Sequence, residues 1–514
     1  MNTVNFISIP GSIVPEQEIV VFGGVRLTYA QLNSMMARLA AGLHAIGLRP
    51  GDVLAALDTN SHLYVAAYYA AARAGLTFLP LNYRAREPEL EYMINSARAR
   101  VLLVGDRYLE LAARLRPQLK LQEVIALGAG IGEIRPLSSI MAPVAAEDSE
   151  AEVEVDDEET SVLMYTSGTT SRPKGVMLTH RDFTAYVTAN IEMADGSDRG
   201  VALVCVPFYH IAGMTALMTN LWTGRKMVVM PQFEAGEWLR LVASERITHA
   251  FVVPTMMKQL LDHPGFTRTD LSSLRNLAYG GAPMPFAVIR RAIESFPAHV
   301  GFVNAYGQTE TTSSLTVLGP DDHRLEGSAE QIQLKLKRLN SIGRPLPDVE
   351  VRVRDDNGEW LGNDKVGEIV IRTARIMKGY AGRDDDAALG DGWRATGDLG
   401  WIDGDGYIFF AGRKDDMIIR GGENIAPAEV ETVLMSHPGV DEAAVVGVPS
   451  LEWGQTIKAF VVIRPQTPVT IEDLISFCGT RLASFKRPEQ IEFVAELPKN
   501  ALGKILRQSL RQGA

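Results

Sequence analysis

Between residues 28 and 104, helix-like and strand-like segments alternate so regularly that few architectures stay open to this chain. In LTYAQLNSMMARLAAGLHAIGLRPGD, Leu32, Met36, Leu39 and Leu43 recur at four, three and four residues. Thr28 and Gln31 form a capping box and Gly47 and Pro50 a stop, so the stretch is predicted to be an amphipathic helix. VLAALD, helix-like YVAAYYAAARAG, TFLPLN, acidic EPELEYMINSA and VLLVGD follow. Repeated strand and helix units predict an α/β fold with a largely parallel sheet. The rhythm resumes in KMVVMP, GEWLRLVASERI and THAFVVP. From about Gly343 the texture changes: VEVRVRDDNGEWL, GEIVIRT and GYIFFAG read as short antiparallel strands of a small sheet or barrel. EAAVVGVP, IKAFVVI, TIEDLISFCGTRLA and IEFVAELP then return to mixed α and β, and the junction is placed in GRKDD at 412–416.

Charge narrows the function classes. The 514 residues carry 51 basic and 62 acidic side chains, a formal net charge of −11. That balance argues against a general nucleic-acid or anionic-membrane binder, though not against a local phosphate site. The surplus is concentrated: residues 147–159 hold nine acidic side chains and no basic one, which leaves 51 against 53 elsewhere. The run reads as a solvated connector between two folded parts. Cys205 and Cys478 are the only cysteines, too few and too far apart for a disulfide scaffold. Without a basic n-region and apolar core at the start, a cytoplasmic location is expected. Residues 200–224 lack charge altogether, but Pro207, Tyr209, His210 and Asn220 make buried strand, loop and helix the better reading than a membrane span. GAGIG at 128–132 follows strand-like EVIAL, yet no helical stripe follows it, so it reads as a loop rather than a dinucleotide fingerprint.

The segment YTSGTTSRPKG at 165–175 directly follows strand-like SVLM. Its small and hydroxyl residues let backbone N–H groups and hydroxyls surround phosphate oxygens, and Lys174 supplies a cation. Pro173 stands where a Walker A loop needs glycine, so a P-loop nucleotidase is disfavoured. A flexible surface loop is the bland alternative, and the Pro-Lys-Gly ending argues against it.

This segment resembles the phosphate loop of the adenylate-forming superfamily of acyl-CoA synthetases, adenylation domains and beetle luciferases. Further signatures stand in family order over nearly the whole chain: PFYHIAG, YGGAPMP, NAYGQTE, GRP, ATGDLG, GRKDDMIIRGGENIAPAEVE and PKNALGK. Each alone is ordinary turn or surface chemistry; the shared order makes them specific. The resemblance implies a large N-terminal AMP- and acyl-binding domain, 1–413, made of two α/β subdomains and a β-barrel-like subdomain. A small mobile α+β lid, 414–514, would follow, with a hinge at Asp415.

The resemblance also implies an acid–thiol ligase that uses ATP and magnesium, then coenzyme A. In-line attack of a carboxylate on the α-phosphate builds charge on phosphate oxygens, so placed cations and donors are the main requirement. Glu310 would hold the magnesium ion and Thr309 would donate to the α-phosphate. Thr166, Ser167, Gly168, Thr169, Thr170 and Lys174 would cradle the outer phosphates. Tyr306 would stack on adenine beside Gly281, Ala282 and Pro283, with Asn304 and Gly307 of the same motif also at the cofactor, and Asp398 would bind the ribose with help from Arg413. Lys504 would reach the carboxylate and α-phosphate during adenylation, and His210 would stand beside the substrate carboxylate, although such a residue is more often a core histidine. Ile211, Ala212, Met214, Val253, Gly280, Ala305, Thr312 and Ser313 would surround the acyl group. That set is apolar and mostly small, with no evident cation for a second carboxylate. The expected substrate is therefore an apolar monocarboxylic acid, aromatic, alicyclic or medium-chain fatty. Gly421, Gly422, Trp453, Phe485, Lys486 and Arg487 would meet coenzyme A, although Lys486 and Arg487 read equally as a solvated pair. The expected state is a monomer or homodimer.

Two positions depart from the family pattern. Ser171 replaces a common glycine and Arg394 a residue that is often aromatic; neither is expected to remove a contact. Transfer to a carrier protein or another acceptor is the alternative enzyme reading. A nucleotide-binding pseudoenzyme is the non-enzyme alternative, and the presence of Lys174, Glu310 and Lys504 argues against it.

Overall fold

In the computed structural model, residues 1–141, 153–166, 173–383, 387–465, 467–499 and 503–512 are described. Thr28 and Gln31 exchange the two bonds of the capping box, and the helix Tyr29–Ala45 starts there. The helix His62–Arg73 is buried from Tyr64 to Arg73. Its alanines let neighbouring layers approach it from every side, as an all-apolar helix requires.

Two sheets dominate the N-terminal body. One orders nine described strands as Arg344–Pro345, Ser313–Leu318, Gly301–Gln308, Asn276–Gly280, His249–Val252, Val201–Val204, Lys226–Val229, Glu18–Phe22 and Val25–Thr28. From Gly301–Gln308 to Glu18–Phe22 its pairing is parallel, with antiparallel strands at both edges. The other orders eight, from Gly379–Tyr380 through Lys174–Thr179, Thr160–Thr166, Thr77–Pro80, Val53–Leu57, Ala99–Val104 and Glu123–Ala126 to Arg135–Pro136. The helices Tyr29–Ala45, His62–Arg73, His180–Asn190 and Ile211–Thr223 share one core with residues of both sheets, including Val20, Phe78, Val101 and Val204. Trp238, Met257 and Ile289 cover the nine-stranded sheet from its other side, and Leu90, Met93 and Leu115 do the same for the eight-stranded sheet.

The uncharged stretch resolves into the strand Val201–Val204, a loop and the helix Ile211–Thr223, which Gly224 ends in a left-handed conformation. Among the described residues no helix is long and apolar enough to cross a membrane. The acidic run corrects one expectation. It joins Arg135–Pro136 to Thr160–Thr166, two strands of the same sheet, rather than two separate folded parts. Its described portion is also engaged: Val153 donates to the Arg73 carbonyl and Glu158 pairs with Arg181. Residues 147–152 of the run lie outside the described residues.

Five described antiparallel strands, Glu350–Arg354, Gly367–Arg372, Ala388–Gly390, Trp393–Ile402 and Ile408–Arg413, form the smaller sheet that the change of texture predicted. The turn Lys414–Asp416 separates it from Ile418–Arg420, the first strand of a C-terminal sheet that also holds Val440–Ser450, Gly454–Ile463 and Gln490–Phe493. The helices Pro427–Met435 and Ile471–Gly479 pack on that sheet through Val430, Leu434, Leu474 and Cys478.

Candidate active site

In a parallel sheet the loops leaving the carboxyl ends of the strands share one edge, and ligands collect there. Here Tyr279 pairs with Asn304 and Gly280 with Ala305, so YGGAP and NAYGQTE emerge side by side. The loop after Val201–Val204 delivers His210 to the same edge. Two glycines permit this crowding: a Cβ at Gly280 would lie 2.2 Å from the Ala305 carbonyl oxygen, and one at Gly307 only 1.8 Å from that of Ser313.

The residues assigned to phosphate and metal converge from both sheets. Thr166 pairs with Lys174 across the ends of two antiparallel strands, and Gly379–Tyr380 pairs with the second of these. Tyr380 donates to Glu310 Oε1 at 3.0 Å, while the Lys174 ammonium lies 5.2 Å from the centre of the Tyr380 ring. Thr309 and Glu310 occupy the one-turn helix Thr309–Thr311. That turn is held by Arg375, fully buried, whose Nη1 donates to the Thr311 carbonyl at 2.9 Å and whose Nε donates to Asp348 at 2.6 Å. Ser167, Gly168, Thr169, Thr170 and the variant Ser171 lie outside the described residues.

Asp398 and Arg413 face one another across the strands Trp393–Ile402 and Ile408–Arg413, with Nε 2.7 Å from Oδ1. The Tyr306 hydroxyl donates to Asp398 Oδ2 at 2.5 Å, and the Gln308 amide to the same oxygen at 2.9 Å. Burial raises the Asp398 carboxyl above its ordinary range and Arg413 opposes the rise. Lys504, from the C-terminal sheet's side of the junction, lies within electrostatic reach of both; burial and Arg413 lower its pKa, and Asp398 and Asp416 oppose this. The segment that carries it is tied down by Arg507, which donates to Glu431 at 2.6 Å and 2.8 Å, and by Arg511, which donates to Asp416 at 3.0 Å. Asn304 donates to the Ser341 carbonyl, Gly281 is left-handed beside Val253, and Ala282 and Pro283 follow it in the loop. Arg394 is buried on the strand that carries Asp398.

His210, expected beside the substrate carboxylate, precedes the helix Ile211–Thr223. Its Nε2 is buried without a hydrogen-bond partner, and burial pushes the imidazole down to about 3, so it is neutral. A cavity of about 220 Å³ runs beneath that helix, lined by Val206, Ala212, Ala216 and Phe251 among others. Of the residues expected around the acyl group, the structure puts Ala212 in this lining. Ile211 adjoins it on the helix. Met214 is fully buried in the central core and Val253 in the core of the outer helices. Ala305 is on the strand beside Gly280, and Thr312 and Ser313 follow the Glu310 turn in left-handed conformations, φ 51° and 81°. The lining also includes Arg225, a cation that sequence reasoning had not placed there. Cys205, in the same lining, has its thiol pushed up to about 12 by burial and is no nucleophile.

Among the coenzyme A candidates, Gly421 donates to the Trp453 carbonyl at 2.9 Å, Gly422 follows in a left-handed conformation, and Arg420 donates to the Phe485 carbonyl at 3.0 Å. Lys486 pairs with Glu429 at 2.8 Å, and Arg487 donates to the carbonyls of Gly479 and Leu482. Asp415 is exposed in the turn Lys414–Asp416. Sequence reasoning missed Tyr380, Gln308 and Arg375. No local signal marks Tyr380 or Arg375, because each acts through a partner 27 or more residues away.

Residues 13–381 match the AMP-binding enzyme family and residues 429–504 its C-terminal domain. The chain is 38% identical over 502 residues to a feruloyl-CoA synthase from Amycolatopsis, covering 97% of this chain and 96% of that protein. It is 33% identical to the long-chain-fatty-acid–CoA ligase FadD13 of Mycobacterium tuberculosis, covering 95% and 93%. Among solved structures it resembles the amide bond synthetase McbA from Marinactinospora thermotolerans, with a TM-score of 0.88, 30% identity and 99% of each chain covered. The chain therefore belongs to the AMP-binding enzyme family, within the adenylate-forming superfamily. It falls in that superfamily's AMP-forming acyl-CoA synthetase branch, whose substrates are an acid, ATP and coenzyme A.

Proposed function

We propose that this chain joins an acid with an apolar body to coenzyme A in two half-reactions. In the first, a carboxylate oxygen attacks the α-phosphorus of ATP and the bond to the β-phosphate breaks, giving acyl-AMP and pyrophosphate. In the second, the coenzyme A thiol attacks the acyl carbon, AMP leaves and the thiol proton is lost. The observation that carries the reading is the meeting of Lys504 with the Asp398–Arg413 pair. A cation brought from beyond the Lys414–Asp416 turn arrives where the ribose and α-phosphate would lie.

Asp398 would accept from the ribose hydroxyls, with Tyr306 and Gln308 fixing its second oxygen. Thr166, Lys174 and the residues between them would hold the outer phosphates, and Thr309 and Lys504 would donate to the α-phosphate. Among the described residues no group of three His, Cys, Asp or Glu side chains could hold a metal. A single carboxylate, Glu310, fits magnesium, which keeps water ligands and binds through one or two carboxylates and substrate phosphates. When bound, magnesium neutralises charge on the phosphate oxygens. Neutral His210, with Nε2 unpartnered, can face the reacting carboxylate without transferring a proton. Gly421, Gly422, Trp453 and Phe485 would receive coenzyme A after the domain beyond Asp415 turns. Two buried free cysteines suit a cytoplasmic enzyme.

Pyrophosphate release over a panel of carboxylic acids, with and without coenzyme A, tests the reading. Lys504→Ala should slow acyl-AMP formation by about 100-fold or more while thioester formation from supplied acyl-AMP largely survives. Equal loss of both half-reactions would remove Lys504 from its assigned role.

A further inference from the structure

The cavity beneath the helix Ile211–Thr223 changes character along its length. Val206 and Ala212 line the end next to His210, whereas Asn220, Arg225, His249 and Asn276 line the far end. Eight residues of helix from Ala212 to Asn220 span about 12 Å. Four residues of extended backbone, from Val206 back into the strand at Ala202, span about 13 Å, which gives the same depth. At about 220 Å³ it exceeds the roughly 150 Å³ that admits one benzene ring. An aromatic or alicyclic body on a short linker fits.

Hydrogen bonds at the far end settle which groups remain available. The Thr248 hydroxyl donates to the Val201 carbonyl at 3.0 Å, so toward His249 Nδ1, 2.7 Å away, it accepts. The ring proton is therefore on Nδ1, and Nε2 accepts from the Asn276 amide at 3.0 Å. Burial holds His249 down at about 4, so it stays neutral. Asn220 donates to the Ala216 carbonyl and accepts from Arg225 Nη1 at 3.3 Å. Arg225 Nε donates to the Arg199 carbonyl at 3.0 Å. Among the described residues, Arg225 Nη2 makes no hydrogen bond and no carboxylate pairs with the guanidinium. The Asn276 amide keeps a second hydrogen. The cavity lining contains no Asp or Glu. What this end offers is therefore chiefly donors and positive charge with no carboxylate, beside two neutral acceptors, Asn276 Oδ1 and Thr219 Oγ1.

We propose that the far end of the cavity selects acids bearing an oxygen acceptor remote from the reacting carboxylate, received by Arg225 and Asn276. The assignment rests on the acid-activating reading above. An acid with an apolar tip seals these donors away from water without a partner, and a site built to hydrogen-bond an oxygen discriminates strongly against the analogue that lacks it. The acceptor is a hydroxyl, carbonyl or carboxylate oxygen, since Arg binds neutral and anionic oxygens alike.

The test measures pyrophosphate release by the full chain with matched acids: cinnamic, 4-hydroxycinnamic and 4-carboxycinnamic acid, and octanoic against 7-oxooctanoic acid. At least one oxygen-tipped acid should exceed its unsubstituted partner at least tenfold in kcat/KM, and Arg225→Met should bring that ratio below three. Arg225→Lys, which keeps the charge, should retain part of the preference, and an ATP-induced rise in Tm checks that both variants fold. A higher rate for the carboxy acid than for the hydroxy or oxo acid would assign the preference to charge pairing; the reverse order would assign it to hydrogen bonding to a neutral oxygen. Equal efficiency with tipped and untipped acids in the wild type, or a ratio unchanged in Arg225→Met, would overturn the assignment while leaving the ligase intact. Release with none of the acids would overturn the acid-activating reading itself.

Discussion

Tyr306 and Gln308 lie two apart on one strand, so their side chains leave the same face, and both reach Asp398 Oδ2. The carboxylate is thereby oriented before any nucleotide arrives. His180 shows the same economy in a structural role. The Thr3 amide donates to its Nδ1 at 3.1 Å, and burial pushes the imidazole down to about 4 from an ordinary 6.5. Between those values the unfolded chain binds a proton that the folded protein refuses. The site's stabilisation is complete above pH 6.5 and is lost as pH falls toward 4. His180→Gln should therefore destabilise at pH 7.5, and its deficit against wild type should shrink by about 2 kcal/mol at pH 5, read by urea unfolding. A deficit of the same size at both values would mean that this histidine titrates normally.

At the scale of an element, the turn Thr309–Thr311 carries the tension of the site. Thr312 and Ser313 directly after it both adopt positive φ, at a cost of order 1–3 kcal/mol each. Arg375 opposes that cost by binding the Thr311 carbonyl from one side and Asp348 from the other. Arg375→Met leaves a carboxylate and a carbonyl without their donor, and should lower the free energy of unfolding by about 3–5 kcal/mol. Less than about 1 kcal/mol in urea melts would mean that the turn holds itself. The strand-like runs VLAALD and VLLVGD and the capping box at Thr28 were plain in the sequence because each signal lies within a few residues. Arg375 and Tyr380 were not, because the strand and turn that they brace come from distant parts of the chain. Met214 shows the converse difficulty. Helical spacing brings it near Ile211, yet only packing decides that it faces the central core and that Ala212 and Ala216 face the cavity.

At the scale of the whole molecule, a single turn, Lys414–Asp416, connects the smaller five-stranded sheet to the sheet that brings Lys504. Polar contacts cross between the two parts, for example Lys258 with Asp441 at 3.5 Å. A joint of that kind suits two docking poses. Asp415→Pro restricts φ at its centre and should slow thioester formation more than adenylation in single-turnover assays. Unimpaired thioester formation would place the hinge elsewhere. Glu310, Tyr380 and Lys174 are drawn together from one turn and two strands, and the net charge of −11 has no bearing on them.

By itself the sequence determined the α/β class and the order of the nucleotide motifs, since period, capping and turn chemistry act over a few residues. Tertiary structure alone decided that the acidic run joins strands of one sheet. It also decided that Tyr380 and Arg375 brace the Glu310 turn, and that Arg225 and Asn276 line the cavity beneath the helix Ile211–Thr223. These are pairings between residues far apart in the chain, and their energies exist only once the sheets have formed and water has been removed from between them.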